Sequence, residues 1–536
     1  MGKKAKIILH PNFTIGEISP RLYGAFLEPI GTMVNGSMYN PKHAKADELG
    51  FRRDLIQALR ASGVPAVRLP GGNFVSGWDW ADSIGPMENR KAHLDLAWHQ
   101  YIPNDVGHDE YLKWAERVGT EALYTINLGT GGIKDAINVI EYTNHEGGTY
   151  WSELRKEYGR EKPYGVKTWY LGNEMDGPWQ IGSWEKNPKG YGVLVNEVSK
   201  AMKWVDPNIE TVVCGSSSPF LAHYPDWDLA VMQECYEAVD YISMHHYHSA
   251  PAGDYGALLG GSVYFEDYIN TEIAMCDFVQ ARPRSPKKIM LSFDEYGTMV
   301  RPNGELHPGR GIHNLVASHY VFDPGRNYVR HDPDNMDWSR MHFKTGDMIN
   351  ALTGASVLLA FLRHADRVKI GCMTGGLGAL TASDKEHVWK TAAFYPFTQL
   401  MRYGRGVSLR TSVDCDTFDI PGYAIDDNSQ YYAYEGVKFV DTAAAWDESS
   451  GELNLFVINR SWESDQDLEL NVKGFEGYEF VEQIELYSED MDLITTFENQ
   501  ELIIPTVSTK ASWEDGIVTS ELKKLSWNVF RFHKKP

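Results

Sequence analysis

Apolar and polar positions follow two different textures along this chain. Up to about residue 385, short apolar runs are separated by longer stretches of helical periodicity. Eight runs are strand-like, at residues 22–28, 66–70, 122–128, 167–172, 211–216, 241–246, 288–294 and 367–373. Between them, residues 54–60 and 191–205 place apolar side chains on one helical face. Strands alternating with helices predict a parallel sheet, and eight such units fit a (β/α)8 TIM barrel. Periodicity alone does not separate a barrel from an open doubly wound sheet. The polar residues that close the runs favour the barrel. After residue 385 the helical patterns fade. Runs at 431–434, 453–459 and 467–472 alternate inward and outward between turn residues, which predicts an antiparallel β-sandwich of jelly-roll type. The run at 5–9 precedes the first barrel strand and is assigned to that sandwich. The expected division is therefore a barrel over 18–385 and a sandwich built from 1–17 and 386–536. The stretch from Met299 to Phe343 is long and polar, and it is expected to be a lid or subsite wall.

The ends of the strand-like runs carry the chemistry. The first ends at Glu28, the second at Arg68 with Asn73 just beyond, and the fourth at Asn173-Glu174. The sixth carries His245 and Tyr247, alternate residues that point to one side of a strand, and the seventh ends at Asp294-Glu295. Any one of these is as well explained by a cap or a buried ion pair. Five polar ends converging on one barrel mouth are not, because unpaired polar groups there cost several kcal/mol each. Two carboxylates across a cleft are the minimal machinery for breaking a glycosidic bond: one protonates the leaving oxygen and the other captures or stabilises the oxocarbenium-like centre. Glu174 and Glu295 are the expected pair. Asn173 suits a sugar hydroxyl, and Arg68 should lower the pKa of the carboxylate it approaches. His245 and Tyr247 should give the two glutamates different electrostatic settings.

Composition narrows the class. A chain of 536 residues exceeds one ordinary core. Acids outnumber bases by 73 to 51, a formal net charge of −22, which argues against nucleic acid and anionic membrane as partners. The 16 Trp and 29 Tyr suit sugar stacking but suit a large core equally. Five widely spaced cysteines without a CxxC argue against a disulfide framework or structural zinc. The histidines of the 299–343 stretch lack metal-binding spacing. The apolar run near the N-terminus is too short for a signal peptide, and none approaches the roughly 20 residues of a membrane span, so a cytoplasmic location is expected. A polymer substrate would then arrive as imported fragments.

The ordered motifs resemble intracellular α-L-arabinofuranosidases of glycoside hydrolase family 51, retaining (β/α)8 hydrolases. The resemblance rests on Phe26-Leu27-Glu28-Pro29-Ile30-Gly31, Val67 to Phe74, Leu96-Ala97-Trp98, Pro103 to Tyr111 and Gly147 to Ser152. It continues through Leu171 to Gly182, Ala201 to Pro207, Asp240 to His245, Leu291 to Glu295, Arg363 to Ile370 and Phe394 to Phe397. It implies Glu174 as acid/base and Glu295 as nucleophile. It implies Glu28, Arg68, Asn73, Trp98, Asn173, His245 and Tyr247 around the −1 sugar, with Trp179 and Asp294 beside the pair. It implies no metal or organic cofactor, an oligosaccharide partner and a homo-oligomer, commonly a hexamer. Two departures bear on the sugar. Tyr296-Gly297-Thr298-Met299 replaces a Trp-Asn-Val-Trp-like run, and Gly375 stands where the family carries a Gln. Two alternatives therefore stay open: the same retaining chemistry on another furanoside, a β-xyloside or a β-glucan, and a non-enzymatic sugar binder, against which the intact glutamates count.

Overall fold

Eight strands, each hydrogen-bonded to its neighbours in parallel, close into a barrel in the computed structural model. The structure describes residues 3–251, 253–301, 328–330, 347–374, 381–424 and 430–535. The barrel strands are β1 Gly24–Phe26, β2 Ala66–Leu69, β3 Glu121–Ile126 and β4 Thr168–Leu171, then β5 Glu210–Cys214, β6 Tyr241–Pro251, β7 Met290–Arg301 and β8 Val368–Thr374. The helices between and after them are α1 Arg53–Ser62, α2 His108–Val118, α3 Ile133–Asn144 and α4 Pro188–Val205, then α5 Asp226–Cys235, α6 Ser262–Ala281, α7 Met348–Arg363 and α8 Phe394–Tyr403. Helix α1 shows the local logic: Leu55, Ile56 and Leu59 recur on one buried face, and Gly63 ends the helix at φ 79°.

The strand limits correct the sequence reading in two directions. Strand β1 is shorter than 22–28, because Pro20–Tyr23 forms a 3-10 turn capped by the Ser19 side chain. Strands β6 and β7 run beyond 246 and 294, still paired with each other as far as Pro251 and Arg301. His245, Tyr247, Asp294 and Glu295 therefore lie inside strands and not at their ends. Backbone pairing continues where the apolar pattern has stopped, and hydropathy does not register it. The register shifts between Ser243 and His245 on β6, opposite Ser292 and Glu295 on β7. That bulge adds a residue to β7 and lets the consecutive Asp294 and Glu295 both reach groups in the barrel mouth.

Beyond the barrel, a seven-stranded and a five-stranded sheet face each other across one apolar cluster. Ala5, Ile7, Leu468, Leu470 and Val518 enter it from one side, and Leu453, Leu455, Val457, Phe530 and Phe532 from the other. The pairing is mostly antiparallel, but Lys3–Ile8 lies parallel to Gln466–Asn471. The opposite face of the larger sheet, with Phe456, Ile458, Trp527 and Val529, joins the barrel's own core. Helix α7 sits at this junction, buried all round from Met348 to Leu362, and for that reason it shows no amphipathic stripe.

Candidate active site

The turn after β4 delivers one carboxylate. Glu174 has φ 45°, in the left-handed region that residues with a Cβ rarely adopt. Its Oε1 meets His245 Nδ1 at 3.0 Å, and its Oε2 accepts from the Trp179 indole N–H at 2.7 Å. Burial above all, and then the charge of Glu295, push the Glu174 pKa upward against these two contacts. This setting favours the protonated form of the carboxyl group.

Strand β7 delivers the other. Glu295 Oε1 accepts from Arg68 Nη1 at 2.8 Å, and Oε2 accepts from the Tyr247 hydroxyl at 2.7 Å. One carboxylate oxygen from each glutamate and a ring nitrogen of His245 all lie within 4.8 Å of one another. Such a trio could in geometry hold a cation. His245, however, also contacts Asp294 Oδ2 through Nε2 at 3.1 Å. Burial disfavours the imidazolium, but Glu295, Asp294 and Glu174 outweigh it and raise the His245 pKa well above the ordinary value. These carboxylates favour the imidazolium, in which both ring nitrogens donate.

Arg68 organises the floor. Its guanidinium lies 5.0 Å from the ring centres of both Phe26 and Tyr170. Nη1 reaches Glu295, Nη2 donates to Asn173 Oδ1 at 2.7 Å, and Nε approaches Asp294 Oδ2 at 3.0 Å without hydrogen-bond alignment. Burial opposes a charge on Asp294, yet Arg68 and His245 overcome it and hold its carboxyl below the usual range. Asn173 Nδ2 donates to Asn73 Oδ1 at 3.0 Å, so the fork of Arg68 ties the turns after β2 and β4 together.

Glu28 stands apart from this network. It accepts from the Phe74 N–H at 3.0 Å and from the half-buried Trp98 indole at 2.6 Å, both on one oxygen. Burial, followed by the charge of Glu295, lifts its pKa well above the ordinary value. Gly72, at φ 73°, makes room for it: a Cβ there would sit 2.1 Å from the Glu28 carboxyl carbon.

All eleven residues singled out in the sequence thus fall into two groups, nine in the linked network and Glu28 with Trp98 beside it. Two more residues belong to the site. Thr374, the last residue of β8, lies 2.7 Å from the Tyr247 hydroxyl, and Gln180 donates to Asn73 Oδ1. Gln180 carried a sequence signal, a polar residue beside Trp179. Thr374 carried none, since a strand-end threonine is ordinary. Of the two departures from the family, Gly375 lies outside the described residues, as does most of 299–343. Within the other, Tyr296 is buried against Phe361, Thr298 contacts Thr353 on α7, and Gly297 faces the Tyr247 ring. Among the described residues of the long stretch, Val329–Arg330 pairs with Gln100–Ile102, and Tyr328 packs against His99 and Tyr101 next to Trp98.

Comparison with known proteins agrees with this architecture. Residues 58–263 match the α-L-arabinofuranosidase 1 domain, and residues 317–526 match the α-L-arabinofuranosidase C-terminal domain. The intracellular exo-α-(1→5)-L-arabinofuranosidase 1 of Bacillus subtilis is 37% identical over 99% of this chain and 100% of its own length. The intracellular exo-α-(1→5)-L-arabinofuranosidase of Acetivibrio thermocellus is 36% identical over 99% of this chain and 100% of its own length. Among solved structures, the family 51 α-L-arabinofuranosidase of Bifidobacterium longum superposes with a TM-score of 0.84 at 28% identity, covering 99% of this chain and all of that one. The α-L-arabinofuranosidase of Thermotoga maritima, solved as an arabinose complex, gives 0.82 at 27%, covering 98% of this chain and 99% of that one. This chain therefore belongs to the α-L-arabinofuranosidases of glycoside hydrolase family 51 and is a glycoside hydrolase.

Proposed function

We propose that the chain is a retaining exo-hydrolase that removes terminal α-L-arabinofuranosyl residues from oligosaccharides, with Glu295 as nucleophile and Glu174 as acid/base. One observation carries the reading: two glutamates with oxygens within 4.8 Å of each other have different partners, Arg68 and Tyr247 on Glu295 and Trp179 and His245 on Glu174. Retaining enzymes place the two carboxyl groups about 5–5.5 Å apart, close enough for direct attack on the anomeric carbon and too close to hold a water between them. Arg68 and Tyr247 aim Glu295 and stabilise its charge. Glu174, kept protonated by burial and by that charge, gives its proton to the leaving oxygen. Once Glu295 is bonded to the sugar its charge is gone, and one of the causes that raised the Glu174 pKa goes with it. Glu174 can then accept a proton from the incoming water, which releases the sugar with retained configuration.

The exo action and the arabinosyl specificity rest on the relatives' names, and so does a cytoplasmic location, from which the arrival of substrate as imported fragments would follow. Among the described residues no helix is long and apolar enough to cross a membrane. The division into a barrel over 18–385 and a sandwich over 1–17 with 386–536 is proposed from the separate sheets, with Lys3–Ile8 and Thr14–Glu17 paired to C-terminal strands.

The test is hydrolysis of 4-nitrophenyl α-L-arabinofuranoside, β-D-galactofuranoside, β-D-xyloside and β-D-glucoside. Arabinofuranoside should be cleaved far faster than the others. Glu295→Ala should lose at least ~10⁴-fold in kcat. Glu174→Ala should lose much less on this substrate, because nitrophenolate leaves without a proton, and added azide should restore turnover. Preference for another sugar would overturn the specificity, and activity surviving Glu295→Ala would overturn the nucleophile.

A further inference from the structure

We infer that Gln180 is a positioning residue that fixes the amide polarity of the sugar clamp, so that Asn73 presents its N–H2 group, a donor, to a substrate oxygen. The inference rests on the proposed glycosidase reading and goes beyond it in naming what sets the polarity of recognition. An asparagine amide has a donor end and an acceptor end of nearly equal shape, and only its partners decide which faces a ligand. Arg68 can only donate, so the oxygen of Asn173 must face it. The Nδ2 of Asn173 then faces Asn73 and requires an oxygen there. Gln180 Nε2 converges on that same Asn73 oxygen from its own side. A flipped Asn73 would set its N–H2 against two donors.

Two further observations support the assignment. Asn73 Nδ2 has no hydrogen-bond partner among the described residues. Asn73 is also the one partly exposed member of the three amides, since Asn173 and Gln180 are buried. The group left for a ligand is therefore a donor. Gln180 itself is an unfavourable buried residue, because its Oε1 is enclosed without any partner. A leucine or methionine of similar size would avoid that cost, and only the N–H2 end of Gln180 is used. Gln180 follows Trp179 in the same turn, so one short segment orients both the proposed acid and the sugar clamp.

The experiment compares Gln180→Glu and Gln180→Ala with the unaltered chain on the glycoside it cleaves fastest, from about pH 4 to about pH 8. Thermal unfolding and tryptophan-fluorescence titration with free arabinose are measured in parallel. At the alkaline end the introduced carboxylate opposes the Asn73 oxygen, and kcat/KM should fall ~10–100-fold relative to the unaltered chain. At the acid end the protonated carboxyl can donate again, and the ratio should recover to within ~5-fold. Gln180→Ala should show a loss that does not change with pH. A Gln180→Glu ratio that is flat across pH, or equal losses in both variants alongside lowered melting, would overturn the inference. If the unaltered chain neither cleaves a glycoside nor binds arabinose, the glycosidase reading falls, and this inference with it. If it does either, a negative result falls on Gln180 alone.

Discussion

At the scale of single residues, two glutamates of identical chemistry acquire different settings from their immediate neighbours. Glu295 meets a guanidinium and a phenol, whereas Glu174 meets an indole, an imidazolium and burial. The Trp179 contact works against the upward shift of Glu174, because an N–H donor favours the carboxylate. Trp179→Phe should therefore raise the Glu174 pKa further. The alkaline limb of the kcat profile should move up by roughly half a unit to one unit. An unmoved or downward limb would count against Glu174 as the titrating group. Which residues bear the chemistry was legible in the sequence, because glutamate, arginine and histidine at the edges of apolar runs have few structural excuses. How they pair was not. Arg68 and Glu295 are 227 positions apart, and no local pattern encodes a contact at that separation.

At the scale of elements, helices α5 and α6 meet through a buried acidic pair. Asp228 Oδ2 and both oxygens of Glu272 are enclosed, and burial followed by the charge of Glu272 raises the Asp228 pKa well above its ordinary value, a situation that two carboxyls relieve by sharing a proton. Burial raises the Glu272 pKa to about 7. A carboxyl whose folded value exceeds its unfolded value stabilises the fold fully below the unfolded value, about 4.5. That contribution is lost as pH rises toward 7. Glu272→Gln, which cannot ionise, should escape the loss. Between about pH 5 and about pH 8 it should gain on the order of 1–3 kcal/mol over the unaltered chain, read from thermal or urea unfolding. A constant difference across that range would show that the pair does not share a proton. Helix periodicity gave no sign of this pair, since Asp228 and Glu272 sit within apolar segments that merely accommodate a polar residue.

At the scale of the whole molecule, one buried carboxylate joins barrel to sandwich. Asp441, in a strand of the larger sheet, accepts from Ser356 at 2.5 Å and from Arg363 at 2.8 Å, both on α7, and lies 3.5 Å from Arg460. Burial opposes its charge, but Arg363 and Arg460 hold its pKa below the usual range. Asp441→Ala removes a carboxylate shared by two guanidiniums, of which Arg363 keeps Glu266 and Arg460 keeps the Lys438 carbonyl, and should cost ~1–3 kcal/mol, lowering the melting temperature by several degrees. Because the folded value is depressed, the contribution of Asp441 is present above about pH 4 and lost as pH falls. The melting difference should therefore shrink in acid. A melting curve unchanged by the substitution would mean that the apolar contacts of α7 hold the junction alone.

The sequence by itself determined the alternation of strands and helices, the β texture of the C-terminal part and which polar residues close the apolar runs. These are local properties: strand and helix periods, turn residues and polar punctuation are written within a few positions of one another. Tertiary structure alone decided where β6 and β7 end, how a bulge brings Asp294 and Glu295 into one mouth, and that His245 bridges Glu174 and Asp294. It also decided which amide oxygens and nitrogens of Asn73, Asn173 and Gln180 meet one another. Those outcomes depend on pairing between strands and on burial shared by distant segments, and charge and hydrogen bonding act on them only once the barrel has closed.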